Sequence, residues 1–179
     1  MFSKNLPLAF LIIVLFLGFR ACQLMKGLAN TNPILNHTIE LTIKEDNRRE
    51  KLTDLADNFL GKKYKYAGKT PKTGFDCSGF TYYLMKNVEV KIPASSTAQS
   101  KIGQKVALEN SKAGDLVFFK KGKKNRIFHV AMVYSNSPDD LRIIHSTSSR
   151  GVVIDELYTS KYWEPKISHV RNVLAVNTP

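Results

Sequence analysis

Apolar residues follow three patterns along the chain. An almost continuous apolar run covers Leu6–Phe19, whereas residues 46–60 carry a single apolar stripe at helical spacing that Gly61 terminates. A second helical pattern begins near Phe80, where apolar residues recur at every fourth position. From Asp115 onward, apolar and polar residues alternate in short runs separated by turns. The pattern therefore predicts helices in the first half of the chain and strands in the second.

The strand-like runs are short and closely spaced. Their predicted bounds are Asp115–Phe119, His129–Tyr134, Leu141–Ser146, Gly151–Ile154 and Arg171–Val176. Because polar turns of a few residues join the central runs, we expect them to pair antiparallel, with the last run closing the sheet. Helices that precede an antiparallel sheet define an α+β fold, which is the fold class that we predict.

The apolar run at the N-terminus is 14 residues long, which is too short for an ordinary transmembrane helix and typical of a signal peptide. We expect three parts: a signal peptide over residues 1–22, a tether over residues 23–45 and a folded domain over residues 46–179. The tether shows little periodicity, although Thr38–Ile43 alternates weakly and could form a short strand.

Two cleavage sites are compatible with this leader. In one, residues 19–22 form a lipoprotein box and Cys22 becomes the lipidated N-terminus, with Ala21 fitting the box and Arg20 unusual in it. In the other, ordinary signal peptidase cuts after Gly27-Leu28-Ala29, which has small residues at both required positions. A cysteine directly after an apolar run favours the first interpretation. We therefore expect export and a lipid anchor on a membrane.

The chain is basic, with 27 Lys and Arg against 15 Asp and Glu and a net charge of +12. Such a surface favours polyanions such as nucleic acid, anionic lipid or bacterial wall polymers, and the charge alone does not choose among them. The densest basic run, residues 120–124, lies in a predicted loop without aromatic residues spaced for stacking on bases. We therefore expect no nucleic-acid binding.

Cys77 is a candidate nucleophile because of its position. The preceding segment, Ala67–Gly74, has loop composition and the helical pattern begins just after the cysteine, so the thiol should lie at a helix start. Unpaired N–H groups and the helix dipole lower the pKa of a thiol there. The other cysteine, Cys22, belongs to the leader, so Cys77 has no internal disulfide partner. A lone cysteine is nevertheless most often a small buried apolar residue.

Two histidines strengthen the case for catalysis. His129 begins one predicted strand and His145 ends the next, so these ends lie side by side if the strands form a hairpin. A helix packed on that sheet could bring Cys77 to the same rim, which would unite a nucleophile, a base and a group that orients the base. Each histidine alone would more commonly have a local structural role. The remaining histidines, His37 and His169, fit neither strand, and we expect them at the surface.

One cysteine and two histidines could instead bind zinc. The sequence contains no C-x-x-C or H-x-x-x-H spacing, so this interpretation is the weaker one. We predict no metal site.

Several segments, taken in order, resemble the landmarks of the NlpC/P60 cell-wall peptidases. They are Gly61–Gly68, Phe75–Phe80, Ile92–Ser96, Ala113–Phe119, His129–Tyr134 and His145–Val152. The resemblance extends over about residues 46–176 and is most marked for the small lipoprotein murein endopeptidases.

This resemblance implies a papain-like α+β fold and a cysteine endopeptidase that hydrolyses an amide bond in peptidoglycan stem peptides. It implies that Cys77 is the nucleophile, His129 the base and His145 the polar group that orients the base. It requires no metal or organic cofactor. The implied partners are peptidoglycan and, through the lipid anchor, a membrane, with the enzyme facing the cell wall from the outer membrane in the periplasm. We expect a monomer.

Around the nucleophile, the resemblance assigns Tyr64, Asp76 and Ser78 to the oxyanion or to the substrate. Tyr64 matches a tyrosine that the family places beside the nucleophile, with one extra residue between it and Cys77 in this chain. Ala67 stands where the family usually has glycine. A non-catalytic wall-binding module, or an amidase or acyltransferase on the same fold, is the alternative interpretation.

Overall fold

The computed structural model describes residues 33–122 and 126–174. The predicted signal peptide, Cys22 and both cleavage sites lie outside the described residues. Within these ranges, no helix combines the length and the apolar character needed to cross a bilayer. By its internal contacts, the chain divides into two units, Met1–Lys44 and Glu45–Pro179.

The first described element is helix α1, Pro33–Asp57. The prediction of a short strand at Thr38–Ile43 is wrong, because these residues are helical. The hydroxyls of Thr38 and Thr42 donate to carbonyls four residues earlier, at 2.9 and 3.0 Å, so these β-branched residues satisfy their polar groups within the helix. The function of residues 23–45 as a tether stays a prediction.

In the second unit, α1 carries the predicted apolar stripe, with Leu52 and Ala56 fully buried. The helix spans Pro33–Asp57 rather than the predicted residues 46–60, so it begins earlier and ends three residues sooner. Residues 58–61 form turns, and Gly61 has a φ of 74°, a conformation that favours glycine. The N–H of Gly61 donates to the carbonyl of Val152 at 2.8 Å. This bond fastens the segment that follows the helix to the edge of the sheet.

A buried ion pair holds α1 against the start of the central strands. Arg49 is 7% exposed, and its Nη1 donates to Asp115 Oδ1 at 2.9 Å. Glu45 also accepts from the Arg49 guanidinium, and it accepts a hydrogen bond from Asn172 at 3.1 Å. Because both charged groups are buried, each depends on the other for stability.

A small hairpin and two helices lead from α1 to the main sheet. Their bounds are β1 Lys69–Thr70, β2 Gly74–Phe75, α2 Cys77–Asn87 and α3 Ser96–Gln99. The helix predicted after Cys77 is confirmed as α2. Its buried side, which includes Phe80 and Leu84, packs into the core between the helices and the sheet.

The main sheet has six strands in the order β3-β8-β4-β5-β6-β7, and all neighbours are antiparallel. The strand bounds are β3 Gln104–Val106, β4 Leu116–Lys121, β5 Arg126–Ser137, β6 Asp140–Thr147, β7 Gly151–Glu156 and β8 Ile167–Asn172. The predicted α+β fold class is confirmed. The last strand begins earlier than expected, and it lies between β3 and β4 rather than at an edge.

Successive side chains of β5 lie on opposite faces of the sheet. Val130 and Met132 join the core beneath α1 and α2, whereas Ala131 and Val133 join a second cluster on the opposite face. Apolar side chains are therefore buried on both faces of the central strands. His129, at the start of this alternation, faces the second cluster beside Trp163.

Candidate active site

Cys77 is the first residue of α2, and Asp76 caps that helix. The Asp76 Oδ1 atom accepts from the Gly79 N–H at 2.6 Å and from the Ser78 hydroxyl at 3.0 Å. Gly79 must lack a side chain, because a Cβ atom there would lie 2.0 Å from the carbonyl oxygen of Gly68. The loop before the cysteine therefore approaches the helix start closely, which places the thiol where the sequence predicted.

The thiol environment differs from expectation. Burial raises the pKa of Cys77, the nearby Asp76 carboxylate adds to the rise, and backbone N–H groups, including that of Val130, oppose it without reversing it. The expected lowering of the thiol pKa by the helix start is therefore wrong, because desolvation outweighs the helix N–H groups. In the free protein, the thiol is neutral at neutral pH.

The two predicted histidines lie together. His129 on β5 and His145 on β6 place Nε2 and Nδ1 2.9 Å apart, within hydrogen-bond distance. His145 is fully buried and His129 is 7% exposed. Burial first, and then the neighbouring His145, lower the pKa of His129 from 6.5 to about 3. Both conditions keep the His129 imidazole neutral and able to accept a proton.

A carboxylate that the sequence pattern did not predict lies next to the histidines. Asp155 on β7 places Oδ2 3.0 Å from His145 Nε2. Arg150 forms an ion pair with the same carboxylate at 2.6 Å. The hydrogen bond with His145, followed by the contribution of Arg150, holds the pKa of Asp155 well below its ordinary value. Burial lowers the pKa of His145, so the pair consists of a carboxylate and a neutral imidazole.

A cross-strand signal for Asp155 was present in the sequence. In the antiparallel pairing of β6 with β7, His145 lies opposite Val153, and Asp155 stands two residues farther along the same strand. Residues offset by two on a paired strand lie on the same face and remain within reach of long side chains. A polar residue at that offset from a candidate catalytic histidine is therefore a candidate hydrogen-bond partner of the histidine.

Trp163 covers both histidines. Its ring stacks on His129, with centroids 4.6 Å apart and an interplanar angle of 25°, and it meets His145 edge-on at 4.9 Å. Its Nε1–H donates to Asp155 Oδ2 at 3.2 Å. The indole therefore shields the imidazole pair from water and contacts all three titratable groups.

Cys77 lies where the two halves of an open cleft meet. The halves have volumes of about 740 and 710 Å³, each within the usual range for small-ligand sites, and Tyr64, Cys77 and Phe128 line both. His129 lines the second half. Burial first, and then the negative charges of Cys77, where it is ionised, and of Asp76, raise the pKa of Tyr64. The phenol is therefore a hydrogen-bond donor at neutral pH.

The first half of the cleft is basic. Lys69, Lys121 and Arg126 line it. None of the three has an ion-pair partner in the parts of the chain that the structure describes. Among the described residues, Asp76 is the one acidic side chain that lines this half, and it is engaged in capping α2. A ligand that carries carboxylates therefore suits this half.

A buried glutamine, also missed from sequence, fixes the wall of that half. Gln99 is fully buried, and its Nε2 donates to the carbonyls of Ser78 and Pro93 at 3.0 and 2.8 Å. Its Oε1 accepts from the Thr81 hydroxyl at 2.9 Å. One amide therefore ties the loop after α2 to the first turn of the helix that carries Cys77.

The other predicted site residues have defined structural partners. The Ser78 hydroxyl donates to Asp76, so these two predicted substrate-binding residues also support the start of α2. His169 is partly buried rather than at the surface. It stacks on Phe118, with ring centroids 5.2 Å apart, and its Nε2 lies 3.0 Å from the carbonyl of Ser100. The surface position was expected because His169 fits neither of the two predicted strands that carry His129 and His145.

Within residues 33–122 and 126–174, no group of three or more His, Cys, Asp or Glu side chains is arranged to hold a metal ion. The chemistry that the arrangement supports is nucleophilic. It combines a thiol, a neutral imidazole and a second imidazole backed by a carboxylate.

Comparison with known proteins identifies this arrangement. The sequence pattern of the NlpC/P60 family matches residues 61–172, and the chain belongs to that family. The matched residues 61–172 contain Cys77, His129, His145 and Asp155. The resemblance seen in the sequence is therefore confirmed, as is the fold that it implied.

Three similar proteins illustrate the relationship. The chain is 38% identical over 131 residues to the gamma-DL-glutamyl hydrolase of Bacillus subtilis (strain 168), covering 73% of this chain and 31% of that protein. It is 30% identical over 128 residues to the murein DD-endopeptidase MepS/murein LD-carboxypeptidase of Escherichia coli (strain K12), covering 71% of this chain and 64% of that protein. The crystal structure of an NlpC/P60 family protein from Bacillus cereus ATCC 10987 superposes with a TM-score of 0.62 at 36% identity, covering 70% of this chain and 40% of that one.

The chain thus spans less than two thirds of the length of these relatives. The shared part is the domain that contains the cleft.

Proposed function

We propose that this protein is a cysteine endopeptidase that hydrolyses an amide bond in peptidoglycan stem peptides. One observation carries the proposal: Cys77 and His129 line the same cleft, and His129 is hydrogen-bonded to a buried His145. A thiol, a base and a group that orients the base are the components of nucleophilic acyl transfer. Membership of the NlpC/P60 family supports the same chemistry.

The reaction begins from a neutral pair. Because the pKa of Cys77 is raised and the pKa of His129 is lowered, neither group is charged before the substrate binds. His129 takes the thiol proton as Sγ attacks the amide carbonyl, and it gives that proton to the leaving amine. Water then hydrolyses the thioester, with His129 again accepting a proton. Cys77 and His129 are restored at the end of the cycle.

The tetrahedral intermediate needs hydrogen-bond donors for its oxyanion. The backbone N–H of Cys77 lies in the first turn of α2, where N–H groups have no partner within the helix. The Tyr64 phenol, protonated and adjacent in the cleft, supplies the second donor. Asp76 holds the helix start in place and, as a carboxylate, offers no donor to an oxyanion.

Stem peptides suit the cleft by charge. Lys69, Lys121 and Arg126 favour a substrate with free carboxylates in the first half of the cleft. The names of two relatives agree with this class, since one is a gamma-DL-glutamyl hydrolase and the other a murein DD-endopeptidase and LD-carboxypeptidase. The substrate class is therefore an anionic peptide of the cell wall.

The location follows from the same proposal together with the leader. Peptidoglycan lies outside the cytoplasmic membrane, so its hydrolase must be exported. Lipidation at Cys22 would hold the mature protein on a membrane, and residues 23–45 would let the catalytic domain reach the wall. This anchoring belongs to the proposal and has its own test below.

The decisive experiment is digestion of purified sacculi by the mature protein, with the released fragments identified by mass spectrometry and Cys77→Ala as the control. The proposal expects new amine and carboxyl ends within the stem peptides from wild type and none from the control. Binding without cleavage would indicate a wall-binding module. Transfer of the acyl group to an added amine with little hydrolysis would indicate an acyltransferase.

A further inference from the structure

A largely buried chain of hydrogen-bonding groups joins His129 to Asp155, and both residues line the second half of the cleft. His129 Nε2 lies 2.9 Å from His145 Nδ1, and His145 Nε2 lies 3.0 Å from Asp155 Oδ2. The two rings are 7% and 0% exposed, so water does not compete for these contacts. Each ring nitrogen in the chain therefore has a defined partner, apart from Nδ1 of His129.

Asp155, at one end of these hydrogen bonds, determines which ring nitrogens carry protons. A carboxylate can only accept a hydrogen bond, so the contact with Asp155 requires a proton on Nε2 of His145. A neutral imidazole carries one N–H, so Nδ1 of His145 must then be an acceptor. The contact with His129 in turn requires the proton on Nε2 of that ring. Nδ1 of His129 is left with a lone pair.

The opposite arrangement would disable the base. If Nε2 of His145 accepted a hydrogen bond, its proton would move to Nδ1, and His129 would have to accept at Nε2. The proton of His129 would then occupy Nδ1, and that nitrogen could no longer remove a proton from Cys77. Two neutral imidazoles have no strong preference of their own between these arrangements, so the group beyond them determines the choice.

Two side chains besides His145 hold the Asp155 carboxylate in place. Arg150 Nη1 donates to Oδ1 at 2.9 Å and Nη2 donates to Oδ2 at 2.6 Å, which forms a bidentate pair. The Trp163 Nε1–H donates to Oδ2 at 3.2 Å. All of these partners are donors, so the oxygen that faces His145 remains an acceptor.

We propose that Asp155 is a positioning residue that fixes the proton on Nε2 of His145, and thereby on Nε2 of His129, so that Nδ1 of His129 serves as the base. The role in turnover rests on the proposed function, whereas the placement of the protons does not. Asp155 lies beyond the motif through which the sequence resembles the family, His145–Val152, so the motif itself did not indicate it.

The test measures the tautomers directly. The mature protein is labelled with ¹⁵N-histidine, and long-range ¹H–¹⁵N spectra assign the protonated nitrogen of each ring, with His129→Gln and His145→Gln identifying the signals. The wild type should show the proton on Nε2 in both rings. Asp155→Asn should populate a form with the proton on Nδ1 of His129, because the amide can donate to His145.

Asp140→Asn is the matched control. Asp140 also pairs with an arginine, Arg142, at 2.8 Å, but this pair is exposed at the start of β6. The control should therefore leave both tautomers as in wild type. Arg150→Gln keeps the carboxylate and should also keep the proton on Nε2. Retention of a single Nε2–H form in Asp155→Asn, or an Nδ1–H form of His129 in wild type, would overturn the proposal.

Kinetics separate positioning from a merely structural role. Asp155→Asn should lower kcat while KM changes by less than about 3-fold, because the fraction of enzyme with a competent base falls and the cleft is unchanged. The loss is bounded by the whole contribution of a general base, roughly 10²- to 10⁴-fold. Unchanged kcat despite altered tautomers would also overturn the positioning role.

Three further outcomes are distinguishable. If Asp155→Asn does not fold, as judged by circular dichroism, Asp155→Ser is measured in the same way, and the wild-type spectrum still tests the order of protons. If wild type cleaves no peptidoglycan but the tautomers respond to Asp155, the proposed function fails and the placement of protons by Asp155 stands. If wild type cleaves and the tautomers do not respond, only the role of Asp155 fails.

Discussion

Gln99 and Ser78 are joined by a buried hydrogen bond, in which the glutamine Nε2 donates to the serine carbonyl at 3.0 Å. Ser78 follows Cys77 directly, so this bond connects the nucleophile's own turn of helix to the loop that carries Pro93. The position of the thiol therefore depends on residues more than one turn away. Variants of Cys77 itself should leave this support intact.

The first prediction concerns that thiol. Cys77→Ala should lower the rate of peptidoglycan hydrolysis by more than about 10³-fold, because the covalent intermediate cannot form. Folding should be preserved, since the buried support of α2 comes from Gln99 and Asp76. The measurement is fragment release from sacculi alongside thermal unfolding of both proteins. Wild-type turnover by a folded Cys77→Ala protein would refute the assignment of the nucleophile.

The second prediction concerns His145. His145→Ala should lower kcat by about 10²-fold, because His129 loses the group that orients it. His145→Asn and His145→Gln should retain more activity than the alanine variant, since an amide oxygen can still accept from His129 Nε2–H. Steady-state kinetics on a purified stem peptide would rank the three. Equal and complete loss in all three would indicate direct proton transfer by His145 or a structural role.

The third prediction is the pH dependence of alkylation at Cys77. The folded thiol has a raised pKa, so the thiolate fraction is small at neutral pH and grows as the pH rises. The rate of reaction with iodoacetamide should therefore climb steadily between about pH 6 and about pH 9. Cys77→Ser protein corrects for reaction elsewhere in the chain. A fast rate that stays level down to acid pH would instead show a thiolate–imidazolium pair in the free enzyme.

The fourth prediction concerns Ala67, which has a φ of 56° in the left-handed region. An alanine in this conformation costs roughly 1–2 kcal/mol. Ala67→Gly should therefore raise the free energy of unfolding by about 0.5–1 kcal/mol, after the greater freedom of glycine in the unfolded chain is included.

Urea unfolding measures this difference, and Ala107→Gly is the matched control. Ala107 has an ordinary φ of −67°, so glycine there relieves no strain and should lower stability. Equal destabilisation by both substitutions would show that the conformation at Ala67 carries no strain.

The fifth prediction concerns the leader. If Cys22 carries lipid, Cys22→Ala should move the protein from the membrane fraction to the soluble fraction, because each buried methylene adds about 0.8 kcal/mol to membrane binding. Hydrolysis by the released protein should be unchanged. Labelling with a clickable fatty acid tests lipidation directly. Absence of label, together with a mature N-terminus at Asn30, would establish ordinary signal-peptidase cleavage.

Local pattern was sufficient for the parts of the site that neighbouring residues determine. Alternation along two adjacent runs placed His129 and His145 on neighbouring antiparallel strands, and the switch to helical spacing placed Cys77 at a helix start. The predicted position of the histidines at strand ends is wrong, because β5 begins three residues before His129 and β6 continues two residues beyond His145. These features depend on a few consecutive residues and on the antiparallel rule for short connections.

Features that depend on tertiary burial were not accessible in the same way. The predicted lowering of the Cys77 pKa was wrong, because burial of the thiol raises its pKa. A position at a helix start does not reveal how deeply the thiol is buried. Gln99 was missed because it acts on Ser78, 21 residues away, which only the fold brings close. Asp155 was missed because its contact with His145 depends on the pairing register of β6 with β7, which alternation alone does not fix. Thr38–Ile43 was misassigned because β-branched residues suit both strands and hydroxyl-satisfied helices.

Trp163, which stacks on His129, is the chain's single tryptophan. Its fluorescence therefore arises wholly from the site, without background from other indoles. An imidazolium quenches a stacked indole, whereas a neutral imidazole does so weakly. Emission intensity followed through turnover would thus report when His129 carries the transferred proton. The fold supplies its own optical probe of the reaction, and no label has to be introduced.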